Sequence, residues 1–170
     1  MIANLFPDQY LESVHDIDYD ALMCAGIKNL IFDIDNTLAP FDVAEPYPKT
    51  VGLFGGLRAQ GFKICLLSNN SYLRVQGFNA PLDVAFVARA HKPAGYGLER
   101  AMALIDASRH NTALIGDQIF TDVWCANRNG LVSILVKPIA ARDEFTVKLK
   151  RRLERYVINL YLRSKKRSQT

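Results

Sequence analysis

The chain has 170 residues, 49% of them hydrophobic, and a formal net charge of +4. That size and apolar content suit one well-cored domain with room for an appendage rather than several domains. No apolar run approaches the ~20 residues that cross a bilayer, and the start Met1-Ile2-Ala3-Asn4-Leu5-Phe6-Pro7-Asp8 lacks the basic and apolar regions of a secretion signal, so a cytosolic protein is expected. Cys24, Cys65 and Cys125 are odd in number and widely spaced; they read as reduced core thiols, not zinc ligands. The charge is uneven: from Arg142 onward there are 10 basic and 3 acidic residues, a net of +7 that leaves −3 for the rest. An acidic body with a basic tail suggests a polyanionic partner.

Residues 1–26 form a lead-in, irregular to residue 17, then helical over 19–25 between Asp18 and Gly26. Residues 27–32 form an apolar strand (Ile27, Leu30, Ile31, Phe32) that ends in Asp33-Ile34-Asp35-Asn36-Thr37. Residues 39–48 contain Pro40, Pro46 and Pro48 and form a loop, since neither a helix interior nor a central strand accepts them. A helix over 49–59 leads to a second buried strand over 62–67 and the polar run Ser68-Asn69-Asn70. A short helix over 71–76 and a short strand over 83–87 follow, then a helix over 93–107 with Pro93 in its first turn. A strand over 112–115 ends in Gly116-Asp117, a helix spans 121–129 with Gly130 beyond it, and a last strand spans 131–136 before Pro138. The alternation predicts an α/β domain with a parallel sheet covered on both faces. Ligands of such sheets gather beyond the carboxyl ends of the strands, and every polar cluster above falls there.

Asp33 and Asp35 start on one face of their strand, with Ile34 opposite. Two acids so close need a cation, a shared proton or solvent. A divalent metal with oxygen ligands is one answer, and an Asp is also a nucleophile able to form an aspartyl-phosphate. The plainer alternative is that one Asp caps the next helix and the other sits in water. Ser68-Asn69-Asn70 offers a hydroxyl, amides and backbone N–H groups at a helix start, which suits a phosphate or a simple cap. Lys92 lies at a helix start, where the macrodipole disfavours a cation. An anionic ligand or the Asp33 carboxylate would explain it, as would exposure in a loop, and His91 is given no role. Gly116-Asp117-Gln118-Ile119-Phe120-Thr121-Asp122 places one acid at a strand end and another in the next helix.

Together the four clusters resemble the signature of the haloacid dehalogenase (HAD) superfamily of phosphohydrolases, subfamily IIIA: Asp33-Ile34-Asp35-Asn36-Thr37, then Ser68, then Lys92, then Gly116-Asp117 with Asp122. The resemblance covers about residues 27–136. Finer strings (Phe6-Pro7-Asp8-Gln9-Tyr10, Leu67-Ser68-Asn69-Asn70, His91-Lys92-Pro93) are similar to the YqeG-type branch, related to phosphatidylglycerophosphate phosphatases. The resemblance implies a three-layer α/β/α Rossmann-like core with a mainly parallel sheet of about five strands. It also implies that Asp33 attacks phosphorus and that Asp35 serves as general acid, then base. Mg²⁺ would be held by the Asp33 carboxylate, the Asp35 backbone carbonyl and Asp117, with Asp122 supporting it directly or through water. Ser68 and the amides near Asn69 would hold phosphate oxygens, and Lys92 would balance the charge on Asp33 and the transferring group.

HAD enzymes often insert a cap domain after the first motif or between the second and third. Here 35 residues separate Asp33 from Ser68 and 24 separate Ser68 from Lys92, which leaves no room for one. An uncapped site suits a phosphate carried on a large substrate. Residues 143–163 read as a basic amphipathic helix: Phe145, Leu149, Leu153, Tyr156 and Leu160 follow helical spacing, widened by Val157 and Tyr161, with Lys148, Arg151, Arg152 and Arg155 opposite. Such a helix lies on an anionic membrane, or packs on the sheet with its basic face in water. The chain thus divides into a core at 1–142 and a helix and tail at 143–170. Residues 163–167 also suit nucleic acid, but no aromatic–basic RNA motif accompanies them. The expectation is a Mg²⁺-dependent phosphomonoester hydrolase, cytoplasmic or peripheral at the inner face of the membrane. Its sharper substrate is phosphatidylglycerophosphate, with an anionic lipid head group as partner. A soluble sugar phosphate or nucleotide is the alternative substrate; a non-catalytic ribosome- or membrane-associated adaptor is the alternative class.

Overall fold

A computed structural model of the chain describes residues 2–140 and 145–168. Its central strands are apolar on both sides because both sides are covered. Strands β2 (Asn29–Phe32), β3 (Lys63–Leu67) and β5 (Thr112–Gly116) are nearly fully buried and pair in parallel, β2 in the middle. β4 (Ala85–Val87) extends the sheet beyond β3, and β6 (Val132–Val136) beyond β5. Along β2 the side chains alternate: Leu30 and Phe32 enter one layer, Ile31 the other. The first layer buries Leu22 of α1 (Tyr19–Cys24), Phe54 and Leu57 of α2 (Pro48–Ala59), and Val75 and Phe78 of α3 (Tyr72–Asn79). There Phe32 and Phe54 stack with ring centroids 5.0 Å apart. The second layer buries Leu98 and Ala101 of α4 (Gly95–Leu104) and Cys125 and Ala126 of α5 (Trp124–Arg128). The expected three-layer α/β/α architecture is therefore present, and neither cap position holds a domain: a loop joins β2 to α2, and only α3 and β4 lie between β3 and α4.

The sheet has six strands rather than about five. The lead-in supplies β1 (Gln9–Leu11), an edge strand parallel to β6, giving the order β1-β6-β5-β2-β3-β4. Asp8 fastens it: its N–H donates to the Ser133 carbonyl (3.0 Å), and its carboxylate accepts from the Ser133 N–H (2.7 Å) and hydroxyl (2.9 Å). Three half-buried residues with no apolar alternation give no periodic signal, so the strand is visible only through its partner.

Three other elements differ from expectation. The helix expected over 93–107 begins at Gly95, because residues 91–94 form a turn closed by the Ala94 N–H and the His91 carbonyl (2.9 Å). The helix expected over 121–129 is a π-helical turn, Ile119–Val123, followed by α5. Cys24 is exposed at the end of α1; only Cys65 and Cys125 are core thiols.

The C-terminal helix α6 (Phe145–Ser168) docks on the β6 side of the sheet. Among the described residues its buried side chains are Glu154, Val157 and Tyr161, with Val157 against Ile119, Val123 and Leu135, and Tyr161 edge-on to Phe6 at 5.8 Å. This corrects the expected stripe, for Leu153 and Tyr156 are 55% and 65% exposed. Arg152, Arg155 and Arg163 are exposed beside them. The expected start at Asp143 and the side chains of Phe145, Lys148, Leu149, Arg151, Lys166 and Arg167 lie outside the described residues. No helix among the described residues is long and apolar enough to cross a membrane.

One close approach holds α4 against the strand that delivers Lys92. A Cβ on Gly97 would overlap the backbone of Ala90. Gly97→Ala must push α4 and residue 90 apart, an overpacking cost of about 2 kcal/mol, which urea unfolding monitored by circular dichroism will report as a lowered midpoint.

Candidate active site

The site is built where β2 and β5 end. Asp33 follows β2 and is 6% exposed, its N–H still in the sheet on the Ile115 carbonyl (2.9 Å). The chain then reverses: Asn36 takes a positive φ of 65°, a conformation Asn tolerates better than most residues. The Thr37 and Leu38 N–H groups return to the Ile34 carbonyl (3.2 and 2.9 Å), and the Thr37 hydroxyl reaches Asp33 Oδ2 at 3.4 Å. Asp35 thereby faces the opening at the sheet edge. Both its oxygens are engaged from α3 and the turn before it: Oδ2 by Asn70 Nδ2 (3.0 Å) and Oδ1 by Arg74 Nη2 (3.2 Å). Arg74 is itself fixed, donating to the Ala44 carbonyl at 3.0 Å and lying 5.1 Å over the Phe78 ring.

Lys92 arrives from the other side. Its backbone is clamped by the Asn69 carboxamide, which accepts from the Lys92 N–H (2.7 Å) and donates to the Lys92 carbonyl (3.1 Å). Nζ then lies 2.6 Å from Asp33 Oδ1 and 2.6 Å from Asp122 Oδ1, all three side chains within 8% of full burial. Asp122 Oδ2 accepts from the Gln118 N–H (3.1 Å) and the Thr121 hydroxyl (3.3 Å), so both of its oxygens serve Lys92 and its own loop. Gly116 makes this possible, because a Cβ there would overlap the Asp122 carboxyl. Asp33, Asp117 and Asp122 each present a carboxylate oxygen within 4.8 Å of the others, and all three residues are buried. A pocket of about 360 Å³ opens over the site, lined by Asp33, Asp35, Ser68, Asn69, Lys92 and Thr121 among others. The Ser68 hydroxyl lies on its wall, accepting from the Asn70 N–H at 3.1 Å.

Burial pushes the Asp33 carboxyl up from 3.8 to about 7; Lys92 pulls it down, and Asp122 and Asp117 push it up again. Burial also works against the charge on Lys92, but the Asp122 and Asp33 carboxylates outweigh it and hold the ammonium above its ordinary value. Three buried carboxyl groups converge here, with the Lys92 ammonium between Asp33 and Asp122. A divalent cation with oxygen ligands fits such a cluster.

Every residue singled out in the sequence lies at this one sheet edge. Two residues that the sequence did not single out, Arg74 and Glu154, lie there too. Asn70 and Arg74 hold Asp35, and Arg74 lies one helical turn beyond the polar run that flagged the neighbourhood. Glu154, 3% exposed on α6, accepts from the Ile119 N–H at 3.0 Å between Asp117 and Asp122. Its signal was faint: it is the one acidic residue between Phe145 and Ser168.

A family model described as HAD-hydrolase-like matches residues 89–159. The chain is 34% identical to a Bacillus subtilis protein named "Probable phosphatase YqeG" over 160 residues, covering 94% of this chain and 93% of that protein. It is 30% identical over 153 residues to a Chlamydomonas reinhardtii protein named "Phosphatidylglycerophosphate phosphatase 1, chloroplastic", covering 84% of this chain and 57% of that one. Among solved structures, a HAD phosphatase from Thermococcus onnurineus superposes with a TM-score of 0.55 at 15% identity, covering 70% of this chain and 90% of that one.

The raised Asp33 carboxyl predicts a pH signature without metal. Between about 4 and about 7 the folded protein holds a proton there that the unfolded chain releases, so stability falls as pH rises through that window. Asn carries no such charge. Asp33→Asn is therefore expected to melt several degrees above the parent at pH 8 in chelator, the gap closing toward pH 4, as scanning calorimetry will measure. A variant no more stable than the parent at pH 8 contradicts the assignment.

Proposed function

The chain belongs to the YqeG-type branch of the haloacid dehalogenase-like phosphatases, and from that premise we propose that it is a Mg²⁺-dependent phosphomonoester hydrolase that works through an aspartyl-phosphate on Asp33, with phosphatidylglycerophosphate as substrate. The observation that carries the chemistry is the Lys92 ammonium, 2.6 Å from both Asp33 and Asp122 in a buried acid cluster. A carboxyl group so placed is held in one position by the ammonium, which also balances charge as phosphoryl transfer proceeds. Asp33, the Asp35 backbone carbonyl and Asp117 would hold Mg²⁺, with Asp122 supporting the site through Lys92 and the Gln118 N–H. When bound, the ion supplies positive charge against the phosphate oxygens.

The remaining steps belong to side chains of this protein. The substrate phosphate enters the pocket and is held by the Ser68 hydroxyl, Lys92 and the main chain at Asn69, whose side chain is occupied with Lys92. An Asp33 carboxylate oxygen attacks phosphorus and the bond to the leaving oxygen breaks, Asp35 giving that oxygen its proton. Asp35 then takes a proton from water as the water attacks the acyl phosphate, which releases phosphate and restores Asp33. Asn70 and Arg74 keep Asp35 at the mouth of the pocket throughout.

The lipid assignment draws on the named relatives, on the absence of a cap over the pocket, and on α6. Its outward side presents Arg152, Arg155 and Arg163 beside Leu153 and Tyr156, the mixture of cations and apolar groups that suits an anionic membrane surface.

Phosphate release is the direct test. Micellar phosphatidylglycerophosphate should be hydrolysed at least about tenfold more efficiently than soluble sugar phosphates or nucleotides. Chelator should abolish turnover and Mg²⁺ restore it, and Asp33→Asn should lower kcat by about 10³-fold or more. Preference for a soluble ester retains the mechanism and rejects the lipid. Each cation near an anionic surface contributes about 1 kcal/mol. Arg152→Glu with Arg163→Glu should therefore weaken sedimentation with phosphatidylglycerol vesicles more than tenfold while leaving hydrolysis of a soluble chromogenic phosphate unchanged.

A further inference from the structure

We propose that Glu154 is a positioning residue of the metal site: from the C-terminal helix it braces the loop that carries Asp117, and so sets the affinity for the divalent cation. This rests on the Mg²⁺-dependent reading above.

The loop from Asp117 to Asp122 begins with two consecutive amides that each need an acceptor. The Gln118 N–H is taken within the loop by Asp122 Oδ2 at 3.1 Å. The Ile119 N–H opens the π-helical turn Ile119–Val123 and, like any first helical amide, has no carbonyl one turn back. Glu154 Oε1 takes it at 3.0 Å across a separation of 35 residues. A carboxylate at that position also meets the positive end of the turn. Asp122 thus secures one amide from inside the loop, and Glu154 the next from outside.

Burying a carboxylate is costly, and docking α6 through apolar contact alone would not require it. Val157 and Tyr161 already supply that contact. Yet the helix, basic elsewhere, places its one acid on the buried face, 3% exposed. Glu154 and Asp117 also share the wall of a second cavity of about 380 Å³, together with Ile119 and Ile158. Metal ligands held by such supporting bonds typically lose 10–100-fold in affinity when the support is removed.

The test titrates Mn²⁺ into the full-length protein and follows bound against free ion by electron paramagnetic resonance, with melting recorded in chelator. Glu154→Ala should raise the dissociation constant for Mn²⁺ by about tenfold or more. Glu154→Gln, which keeps an acceptor oxygen and removes the charge, should stay within about threefold of the parent. Tyr161→Ala, which removes the edge contact with Phe6 and leaves Glu154 and the Ile119 amide in place, should lower the melting temperature and leave Mn²⁺ binding unchanged. Should Glu154→Ala fail to fold, Glu154→Asp, which withdraws the oxygen by one methylene, carries the same expectation. Parent-like Mn²⁺ affinity in Glu154→Ala overturns the proposal, as does an equal loss in Glu154→Gln or Tyr161→Ala. A parent protein that binds no Mn²⁺ overturns it along with the metal reading, an outcome distinct from the others.

Discussion

The structure depends on one ammonium group. Asp33, Asp117 and Asp122 converge as three buried residues, and carboxylates are not buried together cheaply without positive charge. Lys92 provides it from 59 residues beyond Asp33, and much of the surrounding sequence serves its delivery. Asn69 fixes its backbone with two hydrogen bonds, α4 comes close enough to support it only because residue 97 has no side chain, and Gly116 leaves space for the carboxyl that receives it. Removing Lys92 would leave the acids without the cation between them, a loss that costs about 3–5 kcal/mol, whereas a change at Asp33 leaves Lys92 paired with Asp122. The cluster is thus a constraint on the fold in its own right.

The C-terminal helix combines two readings that its sequence sets against each other. It packs on the sheet through Glu154, Val157 and Tyr161, and it still offers exposed cations and apolar side chains on its other side. Packing and surface contact therefore occupy different faces, so neither displaces the other. A helix arranged in this way lies between the surroundings of the protein and the loop bearing Asp117.

Much of this was legible in the sequence. The buried strands are continuous apolar runs, each ending in polar residues with a distinct chemistry, and a parallel sheet brings such ends together. What escaped has physical reasons. β1 is three half-buried residues whose strand identity comes from pairing with β6. The docked face of α6 was misjudged by about one residue because periodicity counts apolar side chains, and the most informative residue on that face is charged. Arg74 joins the candidate site through a contact made by folding, 39 residues from Asp35. The hydrophobic pattern thus announced where the site is, while its supporting bonds required coordinates.

The fastening of β1 to β6 has a consequence for how the chain acquires its structure. Asp8 and Ser133 are 125 residues apart, and every hydrogen bond between them spans that distance. During synthesis β2, β3, β4 and β5 can assemble in turn, but the first strand has no partner until the last has been made. Contacts of such long range close late because the loop between them must first be ordered. In a growing chain the amino-terminal segment waits as an unpaired edge, and the sheet is sealed only when its last strand emerges.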